Sequence, residues 1–227
     1  SEYIDLESFA QMWLLKEYIS DYDATNNMHF WKESNVTGDG KIHAGLAWDF
    51  DNSMDRDKVN LSGLTANNQK ITTSSTGSAK WLGQLLNHTA FKEELVRQYT
   101  LHKELFTCDE SCSCSSATTV DEVNSCTANC PVHKFVADQA KLIEDASKMD
   151  TIRWTGTMSF VNNGQTNFTD ENRAMSTAIV EKFACVRNGY LKGRMESMGV
   201  TLYKVTFDAG AGSGEMAAAT ATDGEVF

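Results

Sequence analysis

The spacing of the cysteines constrains this chain more than any other feature of its sequence. Six cysteines are present, and Cys185 stands apart from the other five. Those five crowd into one segment rich in serine, threonine and asparagine: Cys108, Cys112, Cys114, Cys126 and Cys130. An even count in such a segment is typical of disulfides in a loop of an extracellular protein. One cysteine of the cluster must then pair outside it, and Cys185 is the obvious candidate, although the full connectivity stays open.

A metal site is the alternative interpretation of the same cysteines. The spacings C-x3-C and C-x-C occur in the cluster, and thiolates at short spacings are common zinc ligands. No histidine-rich pattern accompanies them, however, and the surrounding residues are typical of an extracellular loop. Disulfides are therefore favoured, and one of them is expected to tie the cysteine-rich segment to the last long helix.

Four N-x-S/T sequons also point outside the cell, and they begin at Asn35, Asn60, Asn87 and Asn167. Sequons are acceptors of N-linked glycans, so a secreted or cell-surface glycoprotein is expected. No apolar run of about 18 residues occurs, so no membrane span is expected. The chain enters a helix-like pattern shortly after Ser1 without a signal peptide, which indicates a processed or partial piece of a longer protein. The net charge of −11 argues against a nucleic-acid partner.

The N-terminal region predicts a helix followed by a polar turn. Apolar residues recur near the helical period over residues 4–20. Asp5 is the expected N-cap, because aspartate accepts hydrogen bonds from the first free N–H groups of a helix. Residues 21–27 are polar and contain no such pattern, so the helix is expected to end before them.

A β-hairpin is expected after that turn. Two short apolar runs, 28–31 and 41–48, flank a turn in which Gly38 and Gly40 are available for positive φ. The second run ends in the sequence W-D-F-D at 48–51. This end of the hairpin therefore carries two carboxylates.

The remainder of the chain predicts an α+β fold that is mostly helical. Residues 52–78 are polar and rich in turn formers, so a long surface loop is expected. Helical periodicity recurs in four stretches: 79–86, 91–106, 131–149 and 170–198. Residues expected on their apolar faces include Leu105, Phe135, Leu142 and Ile143. A strand is expected at 200–207, followed by a Gly/Ala-rich tail without regular structure.

The polar turn and the end of the hairpin carry the residues that could perform chemistry. The turn offers Asp21, Asp23 and Asn27, and the hairpin ends with Asp49 and Asp51. Phosphoryl transfer needs a carboxylate that accepts or orients the proton of the attacking hydroxyl, and oxygen ligands that hold Mg²⁺. Asp23 and Asn27 have nearly the spacing of a kinase catalytic loop, and Asp49 follows on a hairpin. Neither H-R-D nor D-F-G occurs, so an ordinary protein kinase is excluded.

Ordinary structural roles are the alternative for each of these residues. Asp21 and Asp23 can accept backbone N–H groups in a turn. Asp49 and Asp51 can be surface residues at the end of a strand. Trp48 is expected to lie in the core, and stacking on a bound nucleotide is the alternative that would make it a cofactor-binding residue.

Two stretches of the sequence resemble the CotH family of atypical protein kinases, which is named for a spore-coat protein. They are YIDLESFAQMWLLKEYISDYDATNNMHFWKE and GKIHAGLAWDFDNS, which carry the family's helix, D-x-x-x-N-like loop, aromatic-rich strand and W-D-[FY]-D motif. A weaker resemblance continues through AKWLGQLLNHTAFKEELVRQYTLHKELF, SKMDTIRW and the helix at 170–198. The resemblance implies a kinase-like C-terminal lobe at 1–200 with a cysteine-rich insertion at 107–131, followed by an extension at 201–227.

The resemblance also implies an activity and a set of site residues. Known members of the family transfer the γ-phosphate of ATP to serine or threonine of secreted or coat proteins. Asp23 would be the catalytic aspartate, with Asp21 as the less favoured choice. Asn27 and Asp49 would bind Mg²⁺ or Mn²⁺, and Asp51 would touch the metal or lie directly behind it.

One departure from the family pattern is the nucleotide-binding lobe. In the family this lobe, with its phosphate-contacting lysine and glutamate partner, precedes the catalytic loop, whereas this sequence starts just before the loop. The Gly-rich stretch at 210–214 is a poor phosphate cradle, because no helix pattern follows it. The chain alone is therefore expected to bind ATP weakly or not at all, with the N-terminal lobe supplied by a longer precursor or another chain.

Two other functions remain open on the sequence. A glycosylated, disulfide-stapled module could keep the kinase scaffold without its chemistry, as some surface proteins of the family act as adhesins. The cysteines, the sequons and the missing lobe favour this alternative. The set of four polar residues at Asp23, Asn27, Asp49 and Asp51 opposes it. A carbohydrate-active enzyme comes third, since Asp23 and Asp49 could act as paired carboxylates across an open cleft.

Overall fold

The computed structural model describes most of the chain: residues 2–21, 28–55, 58, 60–64, 66, 71, 80–106, 108, 113–126, 130–154, 170–206, 208, 214 and 217–222. Within these residues the chain is mostly helical and contains two small antiparallel sheets, which agrees with the expected α+β class. Four of the expected site residues lie outside the described residues: Asp23, Asn27, Cys112 and Asn167.

The described elements follow one another in this order. The N-terminal region contains α1 (Leu6–Tyr18), β1 (His29–Lys32) and β2 (Ile42–Gly45). The middle contains α2 (Lys80–Gln84), a 3-10 turn (Leu85–Asn87), α3 (Thr89–Phe106), a second 3-10 turn (Ser113–Ser116) and α4 (Val120–Asn124). The last part contains α5 (Pro131–Leu142), α6 (Glu144–Trp154), α7 (Asp170–Glu196), β3 (Tyr203–Val205) and β4 (Ala219–Ala221). No helix in the described ranges combines the length and the apolar character that crossing a bilayer requires.

Helix α1 begins as the sequence predicts. Asp5 lies in the extended region, and its Oδ2 accepts a hydrogen bond from the Ser8 N–H at 3.0 Å. Such a cap contributes about 1 kcal/mol. The apolar face of α1 packs against α3 and α7, and Trp13 on that face is fully buried. Because burying one large apolar side chain contributes about 1.5–3 kcal/mol, this face anchors the helix in the core.

The β-hairpin is attached to the start of α1. β1 and β2 pair antiparallel, as expected. The Ile42 N–H donates to the Tyr3 carbonyl, and the Asp5 N–H donates to the Ile42 carbonyl, each at 2.9 Å. In the turn between the strands, Gly40 has a φ of +69°, which a residue with a side chain adopts only at a cost. The hairpin therefore has a fixed position relative to the helix that precedes it.

The polar stretch at 52–78 is not only a surface loop. Among its described residues, Leu61, Ala66 and Ile71 are buried. The Ile71 N–H donates to the Glu17 carboxylate at 2.7 Å, which ties this stretch to α1. The expectation of a surface loop is therefore wrong at these positions. Single apolar residues in a polar stretch show no periodicity, so their burial leaves no signal in the sequence.

The helical faces differ from expectation beyond residue 100. The stretch expected as one helix at 131–149 is divided between α5 and α6. Several residues expected on inward faces are exposed: Leu105, Phe135, Leu142 and Ile143. In α5 it is His133 that faces α7. Periodicity identifies an apolar face but not the element that covers it, which is why these inward positions were wrongly predicted.

The C-terminal tail contains a strand. β4 pairs antiparallel with β3, and Arg97 of α3 donates to the Thr220 carbonyl at 2.7 Å. The strand expected at 200–207 is confirmed over Tyr203–Val205, whereas the expectation of a tail without structure is wrong at Ala219–Ala221. Alanine and threonine here give no apolar alternation, so this pairing has no sequence signal.

Two disulfides lie in the cysteine-rich segment: Cys108–Cys130 and Cys114–Cys126. The expectation of disulfides is thereby confirmed for these two pairs. On α7, the Sγ of Cys185 lies 4.0 Å from that of Cys108. The expected proximity of α7 to the cluster is present, while a bond to Cys185 stays a prediction.

Candidate functional site

The end of α1 leads into the candidate catalytic loop. Asp21, the last described residue before 22–27, is buried, and Lys16 Nζ donates to its Oδ2 at 2.8 Å. The Asp21 N–H also donates to the Lys16 carbonyl at 3.1 Å. A carboxylate buried in an ion pair is not accessible to a substrate hydroxyl. This arrangement argues against Asp21 as the catalytic aspartate, and Asp23 remains the predicted one.

The same lysine reaches the W-D-F-D segment. Lys16 Nζ lies 5.1 Å from the centroid of the Phe50 ring, a distance at which a cation is attracted to the π face. Phe50 is half-buried, whereas Asp49 and Asp51 on either side of it are exposed. One buried ammonium therefore contacts both segments from which the predicted site is built.

A backbone hydrogen bond adds to this connection. The Met54 N–H donates to the Ile19 carbonyl at 2.8 Å, which joins the residues after W-D-F-D to the end of α1. Ser53 Oγ donates to the Phe50 carbonyl at 2.6 Å. These bonds make the path after Asp51 a defined turn over the end of the helix.

Backbone strain is concentrated around the same place. The non-glycine residues with positive φ in the described part of the chain are Ser20 (54°), Leu46 (48°), Asp49 (58°), Met54 (52°) and Asp55 (55°). Each of them lies in one of the two segments that frame the candidate site. Such conformations cost about 1–3 kcal/mol each and cluster at functional sites. The strain supports a site here without naming its chemistry.

Trp48 lies on the surface beside the hairpin. Its side chain is 57% exposed and meets the His29 ring edge-on, with ring centroids 5.6 Å apart. The expectation of a core position is wrong, because the chain leaves the sheet at Leu46 in a left-handed conformation. An exposed indole agrees with the alternative of stacking on a ligand.

Behind α1, a buried polar network holds the end of the helix. Arg187 of α7 donates through Nε to the Glu17 carbonyl and through Nη1 to the Ala66 carbonyl, each at 2.7 Å. Its Nη2 lies 3.1 Å from Glu17 Oε1, and both side chains are fully buried. The Tyr190 hydroxyl donates to the same Oε1 at 3.0 Å. Burial, and then the Glu17 charge, raises the pKa of Tyr190, so this donor keeps its proton.

Sequence reasoning missed Lys16, Glu17 and Arg187. A signal existed for Glu17, which follows Phe9 and Trp13 at four-residue intervals and so falls on the buried face of α1. A carboxylate on such a face needs a partner, because buried charges are costly unless paired. No pattern points to Arg187, which only the fold brings to α1.

Three of the predicted sequon asparagines are exposed in the structure: Asn35, Asn60 and Asn87. Asn60 Oδ1 accepts hydrogen bonds from the N–H and the hydroxyl of Ser62, at 3.0 and 2.6 Å. The sequon at Asn60 therefore forms a local turn closed by its own serine. Glycosylation at these positions stays a prediction.

One comparison with known families matches this part of the chain. The family model described as CotH kinase protein matches residues 1–110. The matched segment contains α1, the hairpin with W-D-F-D, and α3. No curated protein and no solved structure matches the chain. The resemblance is confirmed for this segment, and its continuation beyond residue 110 stays a prediction. Residues 1–110 of this chain are therefore similar to the CotH kinase family.

Proposed function

We propose that this chain is part of an atypical extracellular protein kinase that transfers the γ-phosphate of ATP to serine or threonine of a secreted or coat protein. The observation that carries the proposal is the convergence on Lys16 of Asp21, at the start of the candidate loop, and Phe50, within W-D-F-D. Enzymes accelerate phosphoryl transfer mainly by positioning charged groups. The family match supplies the reaction class.

The proposed roles follow the family pattern residue by residue. Asp23 accepts or orients the proton of the substrate hydroxyl. Asn27 and Asp49 hold Mg²⁺ or Mn²⁺, and Asp51 contacts the metal or lies behind it. The donor set fits such an ion, because Asp49 and Asp51 are exposed carboxylates and hard divalent cations prefer oxygen ligands. When bound, the metal would neutralise charge that develops on the phosphates.

Nucleotide binding involves Trp48 and a lobe outside this chain. The exposed indole of Trp48 offers a flat apolar surface on which an adenine ring can stack. The proposal assigns the phosphate-contacting lysine to a nucleotide-binding lobe in a longer form of the protein or in a partner chain. This chain alone is then expected to bind ATP weakly.

Extracellular residence is part of the proposal. Two disulfides support it, because disulfides persist in oxidising compartments. The exposed asparagines of three sequons add support, since a glycan requires an accessible acceptor. The substrate is accordingly proposed to be a protein of the same compartment.

A second candidate function is a non-catalytic structural or adhesion module on the CotH scaffold. One specific observation favours it. Large apolar side chains are exposed along α5 and α6: Phe135, Leu142, Ile143, Met149 and Ile152. Exposed apolar surface of this kind is typical of regions that bind other proteins. A disulfide-stapled binding module with glycans would present such a surface.

Calorimetry with ATP and Mg²⁺ or Mn²⁺ separates the two candidates. It would be performed on this chain and on its longest available precursor. Metal-dependent binding by the precursor is expected, with weak or no binding by this chain. Absence of metal-dependent binding in both proteins would contradict the kinase proposal and favour the adhesion module.

Variants of the precursor then test the assigned residues. Asp23→Ala is expected to abolish phosphorylation while the protein remains folded, and Asp49→Asn is expected to weaken metal-dependent ATP binding. Glu7→Gln is the control, since Glu7 is an exposed carboxylate on α1. Substantial phosphorylation by Asp23→Ala would overturn the assignment of the catalytic residue.

A further inference from the structure

Lys16 carries a buried ammonium at the end of α1. Lys16 lies in the last turn of α1 and is 1% exposed. Moving such a charge out of water costs several kcal/mol, and replacing a buried ion pair by apolar residues is often neutral or stabilising. Stability alone therefore gives no reason for a lysine at this position.

The contacts of Lys16 are divided between two segments. Its Nζ donates to Asp21 Oδ2 at 2.8 Å, immediately before residues 22–27. The same Nζ also lies over the ring of Phe50, the residue between Asp49 and Asp51 in the sequence. An ammonium has three donors and no fixed plane, so it can serve a carboxylate on one side and a ring on the other. A single side chain thus contacts both Asp21 and the W-D-F-D segment.

Because Lys16 is buried, it cannot touch a substrate or a nucleotide. We propose that Lys16 is a positioning residue, which acts through Asp21 and Phe50 to hold the Asp49 and Asp51 carboxylates in the geometry that binds the divalent cation of the nucleotide complex. This inference deepens the proposed function and rests on it. It predicts that loss of the Lys16–Asp21 pair weakens metal binding even in a variant that remains folded.

The test uses the longest precursor and measures the apparent Kd for Mn²⁺ by calorimetry at saturating ATP, together with the urea midpoint of each variant. Lys16→Met and Asp21→Asn are each expected to raise the Kd for Mn²⁺ by about 10- to 100-fold, since small misplacements of functional groups have effects of this size. Their urea midpoints are expected to fall, because each single variant leaves one buried charge without its counter-charge, whereas the variant that removes both charges is expected to stay closer to the wild type. Lys16→Arg keeps the charge and is expected to retain most of the metal affinity.

A double variant makes the test specific to the pair. Residues that act through one interaction are not additive, so Lys16→Met with Asp21→Asn is expected to bind Mn²⁺ no more weakly than either single variant. The double variant also leaves no lone buried charge, so the metal affinity is judged on it where a single variant fails to fold. Lys141→Met, an exposed lysine of α5, is the control for the loss of one charge.

The outcomes distinguish this inference from the function on which it rests. A folded Lys16→Met protein with the wild-type Kd for Mn²⁺ overturns the positioning role and leaves the kinase proposal intact. Equal losses in Lys16→Met and Lys16→Arg overturn it as well, because the effect would then depend on shape and not on charge. A wild-type precursor without metal-dependent ATP binding overturns both.

Discussion

Arg187 on α7 and Glu17 in the last turn of α1 form a fully buried ion pair, with Nη2 and Oε1 3.1 Å apart. The guanidinium also donates to the carbonyls of Glu17 and Tyr18, so one side chain satisfies a carboxylate and the free end of a helix. This pair connects the segment that matches the CotH family with a helix beyond it. The candidate site is therefore supported by residues outside the matched segment.

Removing one partner of this pair is expected to be costly. Arg187→Met leaves the Glu17 carboxylate buried without its counter-charge, and such changes cost about 3–5 kcal/mol. Urea unfolding should show this loss of stability. The double variant Arg187→Met with Glu17→Gln should lose less stability, because it leaves no unpaired buried charge. Arg153→Met on α6 is the control, since Arg153 is exposed. A loss no larger than that of the control would contradict the structural role.

Glu181 is expected to make stability depend on pH. Burial raises its pKa to about 7, and its Oε2 lies 3.6 Å from His133 Nε2. A carboxyl group with a raised folded pKa stabilises the fold below its unfolded pKa of 4.5, and this stability is lost as pH rises through 7. The wild type should therefore lose stability relative to Glu181→Gln between pH 5 and pH 8, on the order of 1–3 kcal/mol.

The effect of His133 on the pH dependence of stability is opposite to that of Glu181. Both the wild type and Glu181→Gln contain His133. Burial lowers the pKa of His133 below 6.5, so its contribution is present above pH 6.5 and lost as pH falls. Glu104→Gln, on an exposed carboxylate of α3, controls for the loss of one charge. If the stability difference between wild type and Glu181→Gln were the same at pH 5 and pH 8, the raised pKa would be refuted.

The disulfide Cys114–Cys126 is expected to contribute to stability. Its two cysteines are 12 residues apart, and closing a loop of about this size contributes about 2–4 kcal/mol. The variant Cys114→Ala with Cys126→Ala should lose this amount in urea unfolding under non-reducing conditions. Ser115→Ala, at an exposed neighbouring position, should be close to neutral. Peptide mapping that links Cys114 to another cysteine would contradict the pairing.

Asn60 is expected to carry a glycan when the protein is secreted from a eukaryotic host. It is exposed, and its Oδ1 is hydrogen-bonded by the Ser62 hydroxyl at 2.6 Å. Mass spectrometry of intact protein should show the loss of one glycan in Asn60→Gln and in Ser62→Ala. Ser62→Thr keeps the sequon and should retain the glycan. Identical glycan masses for wild type and Asn60→Gln would show that the site is unused.

The N-terminal elements could be predicted because their determinants are local. The Asp5 cap, the apolar period of α1 and the glycine at position 40 each act over a few residues. The same holds for the acidic residues of the candidate site, whose types and spacing are visible in the sequence. Local rules predicted α1 and the hairpin, which hold several of the candidate residues, whereas the chemical roles of those residues stay predictions.

The contacts that hold the candidate site in place could not be predicted, because they join residues that are far apart in the sequence. The bond from Arg187 to the Glu17 carbonyl spans 170 residues, and no periodicity relates positions so far apart. Trp48 was expected in the core because it is large and apolar, but a left-handed residue at Leu46 turns the chain away from the sheet. Such a conformation at a leucine has no signature in the residue type.

The two disulfides are nested, since Cys114–Cys126 lies within the interval closed by Cys108–Cys130. A protease that cut the chain anywhere between Cys108 and Cys130 would not release a fragment. The family-matched segment and the later helices would stay covalently joined until a reductant arrived. Such a nicked protein would migrate as one band on a gel without reductant and as two bands with it. A single band without reductant therefore does not show that the backbone of this protein is continuous.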